Sequence, residues 1–599
     1  MLLHRRHAQR VPGLSVRSRP SFNSSAGCFE RSAVPRRANA PQTAFQGIFC
    51  QAVSKDVLST DSEAPASSSS VPAAGPSSPA TLNQAGSEID WPSPTDQPPF
   101  WERPPRPQAA SPGSSSQTPQ DANPLNVVHV TAAAGPHCKG GGSWRCEDRI
   151  QGLQHERDFD CPKGRVWDGK FSMGSLRTSA HRGSIDGIPV ILLRPDWGQS
   201  NVFRGGRIYG GSCNEVEAYL FLCRAALEYL AQAGMQPDIL HVHEWQTSAL
   251  PMLYWEAYHP HALHRARMVL TIHCLDNPGE CREDEFAVTG VSGASFASVD
   301  KALDERTIGH NPERLCLMKG GIVYSNAVTT VSPGYAREAM QGGAAGFLHS
   351  TLAQPHIRGK FQGILNGIDT AFWDPITDPL IPANFSQADM SGKAICKRYL
   401  QAGLGLRQTE GPLVACVTRL VPQKGIHLIQ HAVHSTCTQG GQFVLLGTGH
   451  LDGVFRDMAE GAFKDSPDVR LMLLYSETLA HIIYAAADVV LVPSMFEPCG
   501  LTQLIAMRYG ALPVVRRTGG LADTVHDCDD AVSTDDANGF VFEGVDEASM
   551  DSALHRALQY HRERPEWWSQ IAQQNMGLDS SWQKSAGQYI ETYNAVLQG

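Results

Sequence analysis

The chain has 599 residues, 42% hydrophobic and 18% charged, which is enough to build two large cores. Its formal charge is −10; residues 1–40 carry eight Arg, no Lys and the single acid Glu30, a charge of +7, so the remainder stands at −17. An acidic body excludes the basic face of a nucleic-acid-binding protein, and no apolar run approaches the roughly 18 residues of a membrane span, so a soluble protein is expected. Fifteen Cys without one CxxC pair point to neither a disulfide framework nor a zinc knuckle.

Residues 1–50, rich in Arg and Ser and poor in acids, read as an organelle transit peptide, with chloroplast and mitochondrion not separable by composition. Residues 51–125 are Ser, Pro, Ala and Gln with few apolar positions, the composition of a disordered linker. From Asn126 apolar runs alternate with helical stretches, which predicts α/β architecture. The runs are Val127–Thr131, Ile188–Leu193, Ile239–His243, Met268–His273, Val328–Val331, Val414–Thr418, Phe443–Leu446, Leu471–Leu474, Val489–Val492 and Pro513–Val515. Continuous apolar runs suit parallel strands covered on both faces. A helix over 215–233 should stop at Gly234, and Ser332 followed by Pro333 should cap another. A polar stretch near 381–389 divides two doubly wound lobes, 126–390 and 391–580, and residues 581–599 form a closing helix.

In such sheets ligands bind beyond the carboxyl ends of the strands. The residues that end the runs are His243 with Glu244, His273, Asn366, Arg419 with Lys424, Gly447 to Gly449, Tyr475, and Glu497 with Gly500. They offer cations for phosphate, glycines for close backbone approach, an aromatic for a base, and a carboxylate and amide for sugar hydroxyls.

The segments DILHVHEWQTS, KGGIVYSNAVTTVSPGY, GILNGIDTAFWDP, VTRLVPQKG, FVLLGTG and FEPCGLTQLIAMRYGALPVVRRTGGLADTV resemble soluble starch synthases, within the family of bacterial glycogen and plant starch synthases. VPQKG and NPERLCLMKGGIVYSN are most similar to the forms in classes III and IV. The resemblance implies a GT-B fold, two facing Rossmann-like domains around a cleft, preceded by a disordered N-terminal region. It further implies ADP-glucose as donor, an α-1,4-glucan as acceptor, retaining transfer to the non-reducing end, no metal or other cofactor, and a place in the chloroplast stroma in association with starch granules.

Carried over residue by residue, the resemblance makes His273, Arg419, Lys424 and Glu497 catalytic. It assigns Lys139, Gly141, Gly142, Glu244, Asn366, Tyr475, Cys499, Gly500, Leu501 and Thr502 to the donor. This sequence departs from the family at Ser143 for Leu, Glu244 for Asp and Cys274 for Asn, and Ile505 stands where a related motif has a second Glu. The polar stretch 145–164, broken by Pro162 and Gly164, leaves about forty residues fewer than the family carries, so a helix and a strand are expected to be shortened or missing. The acidic run Asp527–Asp530 follows no strand and reads as a solvated loop. Two other readings stand beside the transferase: a glucan-binding scaffold with impaired transfer, and another GT-B enzyme with a small acceptor, such as a sucrose-phosphate synthase.

Overall fold

The apolar runs become the central strands of two sheets. The computed structural model describes residues 48–53, 89–103, 125–131, 151–167, 170–185, 188–196, 215–307, 314–529 and 536–598. In the nine-stranded first sheet five strands run parallel, in the order Phe361–Gly363, Ala327–Thr330, Arg267–Ile272, Ile239–His243 and Val127–Thr131. Their side chains alternate between two apolar layers. Val128, Leu240, Leu270 and Val328 join the core that includes helix Glu215–Gln232, while Val127, Ile239, Val269 and Ala327 pack on Tyr593 of the C-terminal helix Trp582–Gln598. The closing helix therefore lies on the first sheet.

The first lobe is not doubly wound throughout. Beyond Val127–Thr131 the sheet continues antiparallel through Ile48–Val53, Ile188–Pro195, Lys170–Ile185 and Gln151–Trp167. From Gln151 on, the stretch in which a shortened helix was expected is thus a long strand, and Pro162 and Gly164 pair with Ser175 and Met173 in its ladder. The physical signal is alternation. Leu176, Thr178 and Ala180 are buried, Arg177 is exposed and Ser179 and His181 are half-buried, the period of a sheet with one wet face.

The second sheet has six parallel strands: Val469–Met472, Gln442–Leu446, Leu413–Val417, Val489–Val492, Leu512–Arg516 and Phe540–Phe542. Numbered along the chain this order is 3-2-1-4-5-6, with the direction of winding reversing between Leu413–Val417 and Val489–Val492. The expected linker 51–125 also needs correction. Within it, 89–103 packs on the second lobe: Ile89 and Phe100 are buried in its core, Phe100 meets Tyr399 edge-on at 5.6 Å, and Arg103 pairs with Asp90 and Asp96. Two apolar anchors in a polar stretch are enough to hold it down. No helix among the described residues is long and apolar enough to cross a membrane.

The expected cap is present: Ser332 accepts from the Tyr335 amide, 3.0 Å, with Pro333 opening helix Pro333–Gln341. That helix start also joins the lobes. Ser332 Oγ donates to the Pro498 carbonyl, 2.6 Å; Arg337 pairs with Asp523, 3.0 Å; and Glu338 accepts from the Gly519 amide, 2.7 Å.

Candidate active site

The reversal of winding in the second sheet opens a crevice beyond its two central strands. The loop after Leu413–Val417 carries Arg419 and Lys424, and the loop after Val489–Val492 carries Glu497. Lys424 Nζ and Glu497 Oε2 form an ion pair across the gap, and Ser494 Oγ donates to the same oxygen, 2.8 Å. The two loops are stitched by Gln423, whose main-chain carbonyl accepts from the Met495 amide at 2.7 Å and whose side-chain amide donates to the Phe496 carbonyl at 3.2 Å. Arg419 is exposed and forms no ion pair with the described residues. Lys424 is neutralised by Glu497, while Arg419 is exposed on the same loop.

Behind Glu497 the chain turns through buried Cys499 and Gly500, at φ 71°, to exposed Leu501, and Thr502 begins the short helix Thr502–Arg508. Gly520 packs against this turn so closely that a Cβ there would lie 1.8 Å from the Cys499 carbonyl, while its amide donates to Glu497 O, 3.0 Å. No residue with a side chain fits. Tyr475 does not close a strand as expected: the strand ends at Met472, and Tyr475 sits three residues later, half exposed, with its hydroxyl pushed up by burial and then by Glu477. Its ring is available at the rim.

Across the crevice, the first sheet presents His243, Glu244, His273 and Asn366 at or just beyond its strand ends. Glu244 has φ 64°, a left-handed conformation that costs a non-glycine residue about 1 kcal/mol. Its Oε1 offsets that cost by accepting from the amides of His273 and Cys274, the latter at 2.8 Å. Glu244 therefore holds the main chain of its neighbour strand, a role the sequence reading did not foresee. Burial pushes the Cys274 thiol up to about 11. Asn366 follows the edge strand, beside Gly367, which packs under the start of the C-terminal helix.

Two bridges bring the halves together. Ser332 touches Pro498, while three residues on Tyr335 OH accepts from the Leu275 amide, 3.0 Å, so one helical turn spans from the Glu497 loop to the His273 loop. Tyr589 of the C-terminal helix is the second. Burial pushes its hydroxyl up, hydrogen bonds to Thr271 and Thr329 oppose this, and Cys499 adds to the rise. Lys139, Gly141 and Gly142 lie outside the described residues.

Ser494, Gly520 and Tyr589 were not assigned to the site from the sequence, and Ser332 was expected only as a helix cap. Of the first three only Ser494, three residues before Glu497, left a local trace. The acidic run is not a solvated loop: Asp527 is buried, and Asp527 and Asp529 both pair with Arg556, at 2.7 and 2.5 Å.

Two such lobes, with the winding reversal of one sheet opposite imidazole-bearing central strands of the other, have the architecture of a GT-B glycosyltransferase. Residues 146–354 match the starch synthase catalytic domain family and residues 405–575 match glycosyl transferases group 1. The chain is 42% identical over 500 residues to the probable starch synthase 4, chloroplastic/amyloplastic, of Arabidopsis thaliana, covering 78% of this chain and 47% of that protein. It is 41% identical over 458 residues to glycogen synthase 2 of Methylococcus capsulatus, covering 75% of this chain and 90% of the relative. The solved catalytic domain of starch synthase IV from Arabidopsis thaliana, bound to ADP and acarbose, superposes with a TM-score of 0.69 at 40% identity, over 76% of this chain and 90% of that one. The chain belongs to the starch and glycogen synthase family, and it spans about half the length of the Arabidopsis starch synthase and most of the bacterial enzyme.

Proposed function

We propose that the crevice transfers glucose from ADP-glucose to the non-reducing end of an α-1,4-glucan with retention at the anomeric carbon. The observation that carries this reading is the Lys424–Glu497 pair at the switch point, with Arg419 on the same loop as Lys424. Arg419 and Lys424 receive the diphosphate and stabilise the charge that develops on it as the bond to the sugar breaks. When the phosphate takes Lys424, Glu497 is released to the glucosyl hydroxyls, still oriented by Ser494 and the Gly520 amide. Cys499, Gly500, Leu501 and Thr502 line the phosphate side, Tyr475 stacks on adenine, and Lys139, Gly141 and Gly142 also bind the donor. His273 and Asn366 lie on the sugar side, with His273 beside the anomeric carbon.

The bond from C1 to the phosphate oxygen breaks with its electron pair leaving on ADP. The acceptor O4 bonds to C1 on that same face and passes its proton to the departing phosphate. Closure of the lobes excludes water, which would otherwise capture the activated sugar. We assign residues 126–390 to the acceptor lobe, 391–580 to the donor lobe and 581–599 to the returning helix. The basic N-terminal stretch serves as a transit peptide to the chloroplast stroma, where the enzyme meets starch granules, with its end moved from residue 50 to before Ile48, because Ile48–Val53 is a strand inside the first sheet; the plant relative's chloroplastic name supports this targeting.

The test is transfer of labelled glucose from ADP-glucose to glycogen by the full chain. Incorporation that β-amylase releases as maltose is expected. Glucan binding without incorporation in a folded sample overturns the reading in favour of a scaffold, and preferential use of UDP-glucose overturns the donor assignment.

A further inference from the structure

Three adjacent strands of the first sheet carry four histidines at or near their carboxyl ends, and the proposed reaction uses one. His129 lies on Val127–Thr131, His243 closes Ile239–His243, and His273 follows Arg267–Ile272, three adjacent parallel strands. His129 Nδ1 is 3.1 Å from His243 Nε2, and His243 Nδ1 is 3.3 Å from His273 Nε2. The rings are nearly coplanar, tilted by 21° and 27°, with centroids 5.4 and 5.5 Å apart. These separations approach the N···N distance plus the two ring radii, so the nitrogens point at one another along the ring planes. Nitrogens converging on a shared ion would draw the centroids closer.

The fourth ring confirms that this is no metal cage. His129, His241 and His243 each place a nitrogen within 4.8 Å of the others, but both nitrogens of His241 are engaged, by Tyr593 OH at 2.8 Å and Thr271 Oγ1 at 2.6 Å. His241 packs as a satisfied core residue against its neighbours, 4.3 Å from His243 between ring centroids.

We infer that His243, backed by His129, is a positioning residue that fixes the ring orientation and the tautomer of His273 through an N–H···N chain. This rests on the reading of His273 as the residue beside the anomeric carbon. A neutral imidazole has one N–H donor and one acceptor nitrogen. Each link of the chain takes one of each, so the three rings must share a tautomer, all Nδ1–H or all Nε2–H. Burial pushes the His129 pKa down to about 4, which keeps the far end of the chain neutral near pH 7. The adjacent residue completes the clamp, since Glu244 holds the amides of His273 and Cys274. One dipeptide, His243–Glu244, thus holds both the ring and the main chain of His273.

The experiment uses the full chain. For His243→Phe, kcat should fall about 10- to 100-fold with KM for ADP-glucose within about threefold, the signature of a misplaced reacting group rather than lost binding. His243→Gln, which still offers both a donor and an acceptor, should retain most of kcat. Added imidazole should restore turnover to a folded His243→Gly protein. Nitrogen-15 spectra of the wild-type rings should show one tautomer shared by His129, His243 and His273, and His243→Phe should release His273 to a mixture. Unchanged kcat in folded His243→Phe, or no recovery with imidazole, overturns the positioning role. If the wild-type chain transfers no glucose, the proposed function fails while the spectra still decide the chain: different tautomers on the three wild-type rings overturn it.

Discussion

The two walls of the crevice are built in different ways. On the second lobe the polar groups sit on loops after two central strands, and topology alone brings Lys424 to Glu497: any 3-2-1-4-5-6 sheet leaves a gap at that point. On the first lobe the polar groups sit on the strands or just past their ends, and they are held by one another, imidazole to imidazole and carboxylate to amide. The comparison teaches that a wall made of loops presents charge that a ligand rearranges, whereas a wall made of strand ends presents a preset arrangement.

That contrast is broken first at Glu497. Glu497→Ala should lower glucosyl transfer about 10³-fold, as lost transition-state contacts do. It should also lower stability by about 2 kcal/mol in urea melts, because it leaves the largely buried Lys424 without its partner. An unchanged melt would show the pair to be looser than its geometry. Arg419→Ala sharpens the point: transfer should fall about 10²-fold with stability within about 0.5 kcal/mol, since an exposed, unpaired cation contributes little to the fold. A parallel loss of stability would make Arg419 structural.

On the opposite wall the effects should fall on stability. Tyr593→Phe leaves the His241 Nδ1 contact unmade inside a buried network, so unfolding should become about 1 kcal/mol easier while ADP binding, read by calorimetry, stays the same. The same wall should also respond to pH. The folded His129 ring titrates near 4 and the unfolded one near 6.5, so between those values the unfolded chain takes up a proton the fold refuses. Its contribution is present above pH 6.5 and is lost as pH falls toward 4. His129→Asn should flatten the decline in melting temperature over that window, and an identical slope would remove His129 from the stack's titration.

Much of this was legible in the amino-acid order. Runs such as Val489–Val492 and Phe443–Leu446 announce parallel strands because both faces of the strand are covered, so every residue is apolar. Ser332 before Pro333 announces a cap, and residues that close strands announce a site, because doubly wound sheets bind ligands at one end. The long hairpin was legible in principle through the alternation of Leu176, Thr178 and Ala180 with polar neighbours, although Pro162 and Gly164 disguised it.

The sequence by itself determined the fold class and picked out the cations Arg419 and Lys424 and the carboxylate Glu497, since each is written in a contiguous stretch with its own periodicity or chemistry. Only the tertiary structure decided that Ile89 and Phe100 anchor a polar stretch, that Gly520 presses on Cys499, and that three imidazoles from separate strands form one chain. Those contacts join residues far apart along the chain, and their energy depends on register and packing that no local pattern encodes.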